Sequence, residues 1–491
     1  MAVSQTNSGV EFLSAAGIDL LLELRGPGLR AALTDALRVA VRTGRLVPGA
    51  RLPASRTLAG DLGIARSTVT ESYAELVAEG WLTAQQGSGT RVADRPDPRT
   101  AVPSPARRPG PRRPPAQGLV PGAAQFAEFP RTMWVTAARR ALTAAPHDAF
   151  GYGDPLGRME LRSALAEYLA RVRGVDATPE RIVISSGFHH GLGLLARALR
   201  TQGVRAMAVE SYGLDLYRDL LIGVGLETPA LRVDADGART GDLSGLPGVG
   251  AVLLTPAHQF PTGVALSPER RAAALDWAHR TGGLVVEDDY DGEFRYDRQP
   301  IGALQGRDPA RVAYFGTASK SLAPALRLAW MVLPEEWVPK VAAAKGPVDG
   351  VSVLDQLTLA ELITSGDFDR HVRAIRQRYR RRRGQLVAAL AERAPGVRVT
   401  GMAAGLQAVV ELPAGTEARI VRRAARHGLL VGGLNEFRHE VPADGPDRRE
   451  RDALVVNYSA VSDSAWPGAL DTLCRIMPDG GAARAELKGE L

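Results

Sequence analysis

Four lysines occur in the 491 residues, and one of them, Lys320, stands in Gly316-Thr-Ala-Ser-Lys-Ser-Leu-Ala-Pro-Ala-Leu-Arg327. A lysine that holds an aldehyde cofactor as a Schiff base must have its pKa lowered by burial and by nearby cations. A cofactor phosphate, in turn, needs hydroxyls and an arginine. Thr317, Ser319 and Arg327 offer those groups within one short stretch. On this segment alone, a surface lysine in a serine-rich loop fits as well.

Upstream lies Gly283-Leu-Val-Val-Glu-Asp-Asp-Tyr-Asp-Gly-Glu-Phe294. Leu284-Val-Val reads as a buried parallel strand, and the acids begin where it would end. Ligands of open α/β sheets bind beyond the carboxyl ends of strands. A carboxylate there can keep a pyridine nitrogen protonated, the property that makes pyridoxal phosphate (PLP) an electron sink. Asp288 is assigned to that nitrogen and Tyr290 to the phenolic oxygen, while a solvated acidic turn would explain Asp289 and Asp291 equally well. In Ile182-Val-Ile-Ser-Ser-Gly-Phe-His-His-Gly-Leu192 a strand enters a small-residue turn and then an apolar-periodic helix. Its free amides around Gly187 and Phe188 would cradle a phosphate. Leu253-Leu-Thr-Pro-Ala-His-Gln-Phe-Pro-Thr-Gly263 is another strand end entering a Pro/Gly loop. Tyr212 is a candidate to stack on the cofactor ring, with core packing as its competing role.

In order and spacing these four segments resemble the fold type I aminotransferases. Alternating strands and helices run from about 122 to 335, with strands expected at 182–185, 206–210, 250–255, 284–287, 312–315 and 328–333, an α/β parallel-sheet pattern. A smaller α+β part is expected over about 365–478, opened by a long helix at 368–393 that carries Arg373, Arg376, Arg378 and Arg380 to Arg383. That arginine run reads as a solvated, ion-paired face or as a second DNA contact.

The amino-terminal part is a different module. Leu52 to Trp81 holds two helical patterns around Gly63, the spacing of a helix-turn-helix. Val69, Tyr73 and Leu76 make one apolar face, and Arg66, Ser67, Thr68 and Thr70 gather at the start of the second helix, where they would meet bases and phosphates. Arg56 in the first helix is a further DNA candidate. Trp81 to Val92 reads as a hairpin with a wing tip at Gly87. The segment resembles the winged helix of the GntR regulators, placed at 18–93.

A GntR-like head before an aminotransferase-like body, here 119–478, resembles the MocR subfamily of GntR-type regulators. The resemblance implies a PLP-binding, DNA-binding transcription factor that forms head-to-tail homodimers on a double-stranded operator. Charge agrees: residues 1–120 hold 15 arginines and 10 acids, net +5 of the total +7, which favours a polyanion partner. The single cysteine, Cys474, excludes an internal disulfide and fits a reducing, cytoplasmic setting. No apolar run of membrane-spanning length is present, and no metal site is expected. Proline density from Val102 to Ala116 predicts a semi-rigid linker over 94–118, with arginines that might brush phosphate as a secondary role.

Two departures from the aminotransferase pattern bear on function. The asparagine usual before Pro-Thr-Gly is Phe260, leaving His258 or Gln259 to reach the phenolic oxygen. The strand Ala453-Leu-Val-Val-Asn-Tyr-Ser459 lacks the arginine that grips a substrate carboxylate, and Arg449 or Arg451 in the preceding loop would have to replace it. Cofactor sensing is therefore expected over turnover. Ala318-Ser-Lys-Ser-Leu-Ala-Pro and Leu454-Val-Val-Asn-Tyr-Ser are similar to PdxR-type members, whose effector is PLP itself. An amino-acid or amine adduct of PLP, or an active aminotransferase with a secondary DNA-binding head, are the competing readings.

Overall fold

The computed structural model describes residues 28–85, 89–94, 118–122, 129–296, 302–348, 350–439 and 451–478. The expected linker, the wing tip at Gly87 and Arg449 fall outside them. The chain divides into two compact units, 1–112 and 113–491.

The first unit has helices α1 (Leu29–Arg42), α2 (Ser55–Asp61) and α3 (Arg66–Ala78), followed by the antiparallel pair β1 (Leu82–Gln85) and β2 (Gly89–Val92). Gly63 makes the turn between α2 and α3 at φ 64°, where a side chain would be strained. Leu33, Leu37, Leu58, Val69, Tyr73 and Leu76 fill the core, and the Tyr73 hydroxyl donates to the Pro53 carbonyl at 3.0 Å. Core packing of 69, 73 and 76 turns the start of α3 outward. Arg66, Ser67 and Thr70 are exposed there, as is Arg56 on α2.

The second unit opens with β3 (Gly118–Leu119), α4 (Arg131–Ala144) and α5 (Met159–Arg173). There follow β4 (Ile182–Ser185), α6 (Phe188–Thr201), β5 (Ala206–Glu210), α7 (Asp215–Gly223) and β6 (Ala230–Leu231). A small hairpin, β7 (Val233–Asp234) and β8 (Gly237–Ala238), leads to β9 (Val249–Leu254), α8 (Pro268–Thr281) and β10 (Leu284–Asp288). Then come β11 (Val312–Thr317), β12 (Ala329–Val332), α9 (Val338–Lys345), α10 (Val353–Thr364) and α11 (Asp367–Arg393). The chain ends with β13 (Arg398–Thr400), β14 (Gln407–Glu411), α12 (Glu417–Arg426), β15 (Leu430–Gly433), β16 (Ala453–Asn457) and α13 (Trp466–Ile476).

Seven strands form one sheet in the order β4-β12-β11-β10-β9-β5-β6. The strands β4, β5, β10, β11 and β12 are buried along their whole length, as expected for a sheet covered on both faces. The parallel pattern has one exception, because β12 runs antiparallel to both β11 and β4. Only Ala318 to Leu328 connect β11 to β12, without an α-helix, whereas a parallel return needs a crossover of a dozen or more residues. The chain doubles back, and Lys320 rides on that turn.

A second sheet has the order β13-β14-β16-β15-β3. Its last member corrects the expectation of a continuous 122–335 domain: Leu119 pairs in parallel with Val431, so the chain enters this unit through the carboxy-terminal sheet. The long helix α11 is not simply a solvated arginine face either. Arg382 is buried and donates to the Tyr458 and Val461 carbonyls at 3.0 and 2.8 Å. Arg376 and Arg383 bond the Glu293 and Gly401 carbonyls, while Arg373, Arg380 and Arg381 remain exposed.

Beyond β10, Asp289 is buried against Arg173 of α5, Nε to Oδ2 2.6 Å, and accepts from the Tyr314 hydroxyl at 2.8 Å. Removing one partner of a buried pair leaves a stranded charge, so Asp289→Ala should cost about 3–5 kcal/mol in denaturant unfolding. Asp471→Ala, which breaks exposed pairs with Arg393 and Arg475, should cost under about 1 kcal/mol.

Candidate PLP and effector site

A cavity of about 800 Å³, its open mouth included, lies within the second unit at the carboxyl ends of the parallel strands. Strand ends set its floor: Glu210 closes β5, Thr255 follows β9, Asp288 closes β10, and Lys320 comes from the turn after β11. Of the sequence-assigned residues, Lys320, Asp288, Tyr290 and Tyr212 line it.

The Lys320 amine donates to the Gly122 carbonyl at 3.2 Å. Burial lowers its pKa, while Asp291 and Asp288 pull it upward. The expected help from neighbouring cations is absent among these influences. Asp288 is buried, and burial together with Asp289, Asp291 and Glu210 pushes its carboxyl well above the usual range, with Lys320 opposing. Such an acid keeps a proton that a pyridine nitrogen could take. Burial also raises the Tyr290 phenol, reinforced by Asp291 and Asp288.

His258 does not line the cavity. It is buried behind Tyr290, its Nδ1 3.1 Å from the Tyr290 hydroxyl and 2.8 Å from Asp291 Oδ2. The histidine therefore positions the tyrosine, and the expected direct cofactor contact is replaced by this relay. Gly405, at φ 72°, leaves room for the ring: a Cβ there would collide with His258. Gln259 is likewise turned inward, donating to Glu210 at 3.1 Å and accepting from the Thr262 hydroxyl at 2.6 Å. Phe260, in the asparagine position, lines the cavity edge-on to Tyr290.

The phosphate candidates gather at the start of α6. Arg327 has φ 52°, the only positive φ of a non-glycine among the described residues, and donates to the Ser186 carbonyl at 2.6 Å. Gly187, at φ 84°, caps α6, and a Cβ on it would collide with the Arg327 guanidinium. Left-handed backbone at an arginine costs on the order of 1–3 kcal/mol and persists where surroundings hold a side chain in place for a task. Phe188 departs from its assignment, since its side chain packs on Tyr217 and Phe315 with centroids 4.7 and 5.2 Å apart, leaving only its backbone amide for a ligand. Thr317 and Ser319 pair through their hydroxyls at 2.9 Å. Tyr217 connects the two regions: it lines the cavity and feels the charges of both Asp288 and Arg327. A helix amino terminus with an arginine, beside a buried acid and a lysine, fits PLP.

Other lining residues carried no signal in the sequence reading: Glu210, Tyr217, Arg218, Gln407 and His439. Glu210 was findable, being the last residue of an expected strand. The others come from helices or loops far away in sequence. Arg451, weighed as a substitute carboxylate clamp, pairs with Glu411 at 2.9 Å and does not line the cavity.

Residues 118–445 match the aminotransferase class I and II family, and residues 29–92 match the gntR family of bacterial regulatory proteins. The chain is 31% identical to the probable rhizopine catabolism regulatory protein MocR of Rhizobium meliloti, over 90% of this chain and 92% of that one. The chain belongs to the MocR subfamily of GntR-type transcriptional regulators. It is also 31% identical to the pyridoxine biosynthesis regulator PdxR of Corynebacterium glutamicum, over 89% and 96% of the two chains. Among solved structures, an archaeal alanine:glyoxylate aminotransferase is similar, with TM-score 0.65 and 25% identity over 74% of this chain and 90% of that one. This MocR-type chain is thus a PLP-binding, aminotransferase-like regulator with a DNA-binding head. No helix among its described residues is long and apolar enough to cross a membrane.

Burial pushes the Glu210 carboxyl up to about 7, against hydrogen bonds from Thr255 and Gln259. A raised folded-state pKa means its stabilising contribution is full below about pH 4.5 and lost as pH rises through about 7. Glu287 and Glu293, also raised to about 7 by burial, titrate in the same window. Between about pH 5 and 8, Glu210→Gln should therefore reduce the loss of unfolding free energy by up to about 3 kcal/mol without abolishing it, as measured by denaturant titration at each pH.

Proposed function

We propose that the chain is a cytoplasmic transcription factor whose operator affinity is set by PLP, or by a PLP adduct, in the cavity of its second unit. The observation that carries this reading is the pairing of Lys320 and Asp288 in one cavity whose β16 wall presents Asn457 in place of an arginine. Bound PLP supplies an aldehyde that condenses with amines and a ring that withdraws electrons when its nitrogen is protonated. The Lys320 amine, its pKa lowered by burial, is the nucleophile that retains the cofactor. Asp288 shares its proton with the ring nitrogen. Tyr290, oriented by His258 and Asp291, meets the phenolic oxygen, and Tyr212 flanks the ring. Arg327, Thr317, Ser319 and the amides at Gly187 and Phe188 hold the phosphate.

The reading extends to a head-to-tail homodimer whose two winged helices meet two half-sites at a fixed spacing. Arg66, Ser67, Thr68 and Thr70 at the start of α3, with Arg56 and the wing at Gly87, contact the operator. Ligand binding shifts DNA affinity only by its differential affinity for two arrangements of the protein. The similarity to PdxR supports control of PLP synthesis. An aminotransferase with a secondary DNA-binding head is the second reading, favoured by the intact Lys320 and Asp288 and separated by turnover assays with amino donors and keto acids.

Titrating the full chain with PLP should produce the visible absorbance of lysine-bound cofactor and change affinity for its own upstream DNA by roughly 5- to 150-fold. Lys320→Ala should do neither. DNA affinity indifferent to PLP at saturation would refute the cofactor as the signal. Arg66→Ala should weaken DNA binding across sequences and lower the slope of log affinity against log salt by about one if the contact is to phosphate.

A further inference from the structure

The cavity contains more recognition chemistry than PLP uses. Three buried nitrogens on its lining residues have no hydrogen-bond partner: Arg218 Nε, Gln407 Nε2 and His439 Nδ1. Buried donors are almost always satisfied in folded proteins, so three orphans on one cavity wall point to an absent acceptor. Arg218 Nε and Gln407 Nε2 are donors in every protonation state, and His439 Nδ1 is a donor in one of its neutral tautomers. Gln407 and His439 are buried, 4% and 3% exposed. The chemistry the three share is that of an acid group.

Neighbouring acids do not already fill this role. Asp215 Oδ1 sits 3.3 Å from a terminal nitrogen of Arg218, leaving Nε uncommitted. The same oxygen is 3.4 Å from His439 Nδ1 without hydrogen-bond geometry. Asp215 and Asp219, the acids facing His439, are both exposed and screened by solvent. On β16, Asn457 is occupied: it donates to the Val120 carbonyl at 3.1 Å and accepts from the Ser459 amide and hydroxyl.

The three donors also lie on different parts of the unit. Arg218 is on α7, next to the seven-stranded sheet, and Gln407 begins β14 in the other sheet, opposite Asn457. His439 lies on a segment that returns from β15 and pairs with the loop after β5: the Gly213 amide donates to the Phe437 carbonyl at 2.9 Å and the His439 amide to the Ser211 carbonyl at 2.8 Å. Whatever occupies the space between them would tie the two sheets together.

We propose that Arg218, His439 and Gln407 form an acid-binding subsite that takes the carboxylate, sulfonate or phosphonate of an amine-bearing effector beside the cofactor. The acid is gripped from α7 and the 437–439 segment rather than from β16, and its binding holds that segment against the large sheet. This inference rests on the reading of the cavity as a PLP site.

The test uses the full-length, PLP-loaded protein, titrated with glycine, β-alanine, 4-aminobutyrate and taurine and with the acid-free amines ethylamine and propylamine. Binding is read from the change in bound-cofactor absorbance and from the thermal unfolding midpoint. At least one acid-bearing amine should bind tenfold or more tightly than the matched acid-free amine. Arg218→Gln should erase that advantage while leaving the absorbance with PLP alone unchanged, and Arg218→Lys should restore part of it. Equal binding of both classes, or an advantage that survives Arg218→Gln, overturns the subsite. Loss of the preference in His439→Gln or Gln407→Leu with cofactor absorbance intact supports it independently of Arg218. A wild-type protein that shows no cofactor absorbance at all refutes the underlying PLP reading, a result distinct from cofactor bound without acid preference.

Discussion

The cavity depends on how the acidic turn after β10 is pinned. Asp289 is buried between the Arg173 guanidinium and the Tyr314 hydroxyl, so α5 and β11 both hold it from one side of the sheet. Successive side chains on an extended strand point to opposite faces. With Asp289 fixed away from the ligand, Asp288 and Tyr290 face the cavity together. A solvated acidic turn would lack this alternation. The same geometry concentrates negative charge: Asp288, Asp289 and Asp291 raise one another or their neighbours, and Lys320 stands opposite as the compensating amine.

A second constraint comes from chain length between β11 and β12. The short turn reverses the chain, makes β12 antiparallel, and brings Lys320 over the carboxyl ends of the parallel strands while Arg327 reaches the start of α6. One turn thus carries both the amine and the guanidinium, twisted into left-handed backbone at Arg327. The cofactor's two ends are addressed from a single local conformation. This is why the segment is recognisable as a unit in the sequence.

The regulatory character follows from what surrounds that conserved-looking chemistry in space. The wall from β16 is amide where a gripping arginine would stand, and Asn457 is bonded to the entering strand's neighbour Val120. Because β3 joins the carboxy-terminal sheet, the chain arriving from the DNA-binding unit is stitched directly to the sheet that lines the effector cavity. A change in that sheet's position is transmitted along covalent backbone. No long chain of side-chain contacts is required.

The sequence by itself determined the chemistry carried by contiguous segments: Lys320 with Thr317, Ser319 and Arg327, Asp288 with Tyr290, the α6 turn at Gly187, and the helix-turn-helix from Leu52 to Trp81. Each is legible because hydrophobic period and functional residue types coincide within a dozen or so positions. Only the tertiary structure decided that His258 stands behind Tyr290, that the Phe188 ring belongs to the core, and that Arg382 is buried in a helix that looked solvated. It also brought Glu210, Arg218, Gln407 and His439 to one cavity. These residues are separated by up to hundreds of positions, and their side-chain directions follow from the packing of two sheets. No local periodicity encodes that packing, so the cofactor end of the site is written in the sequence and the effector end is written in the fold.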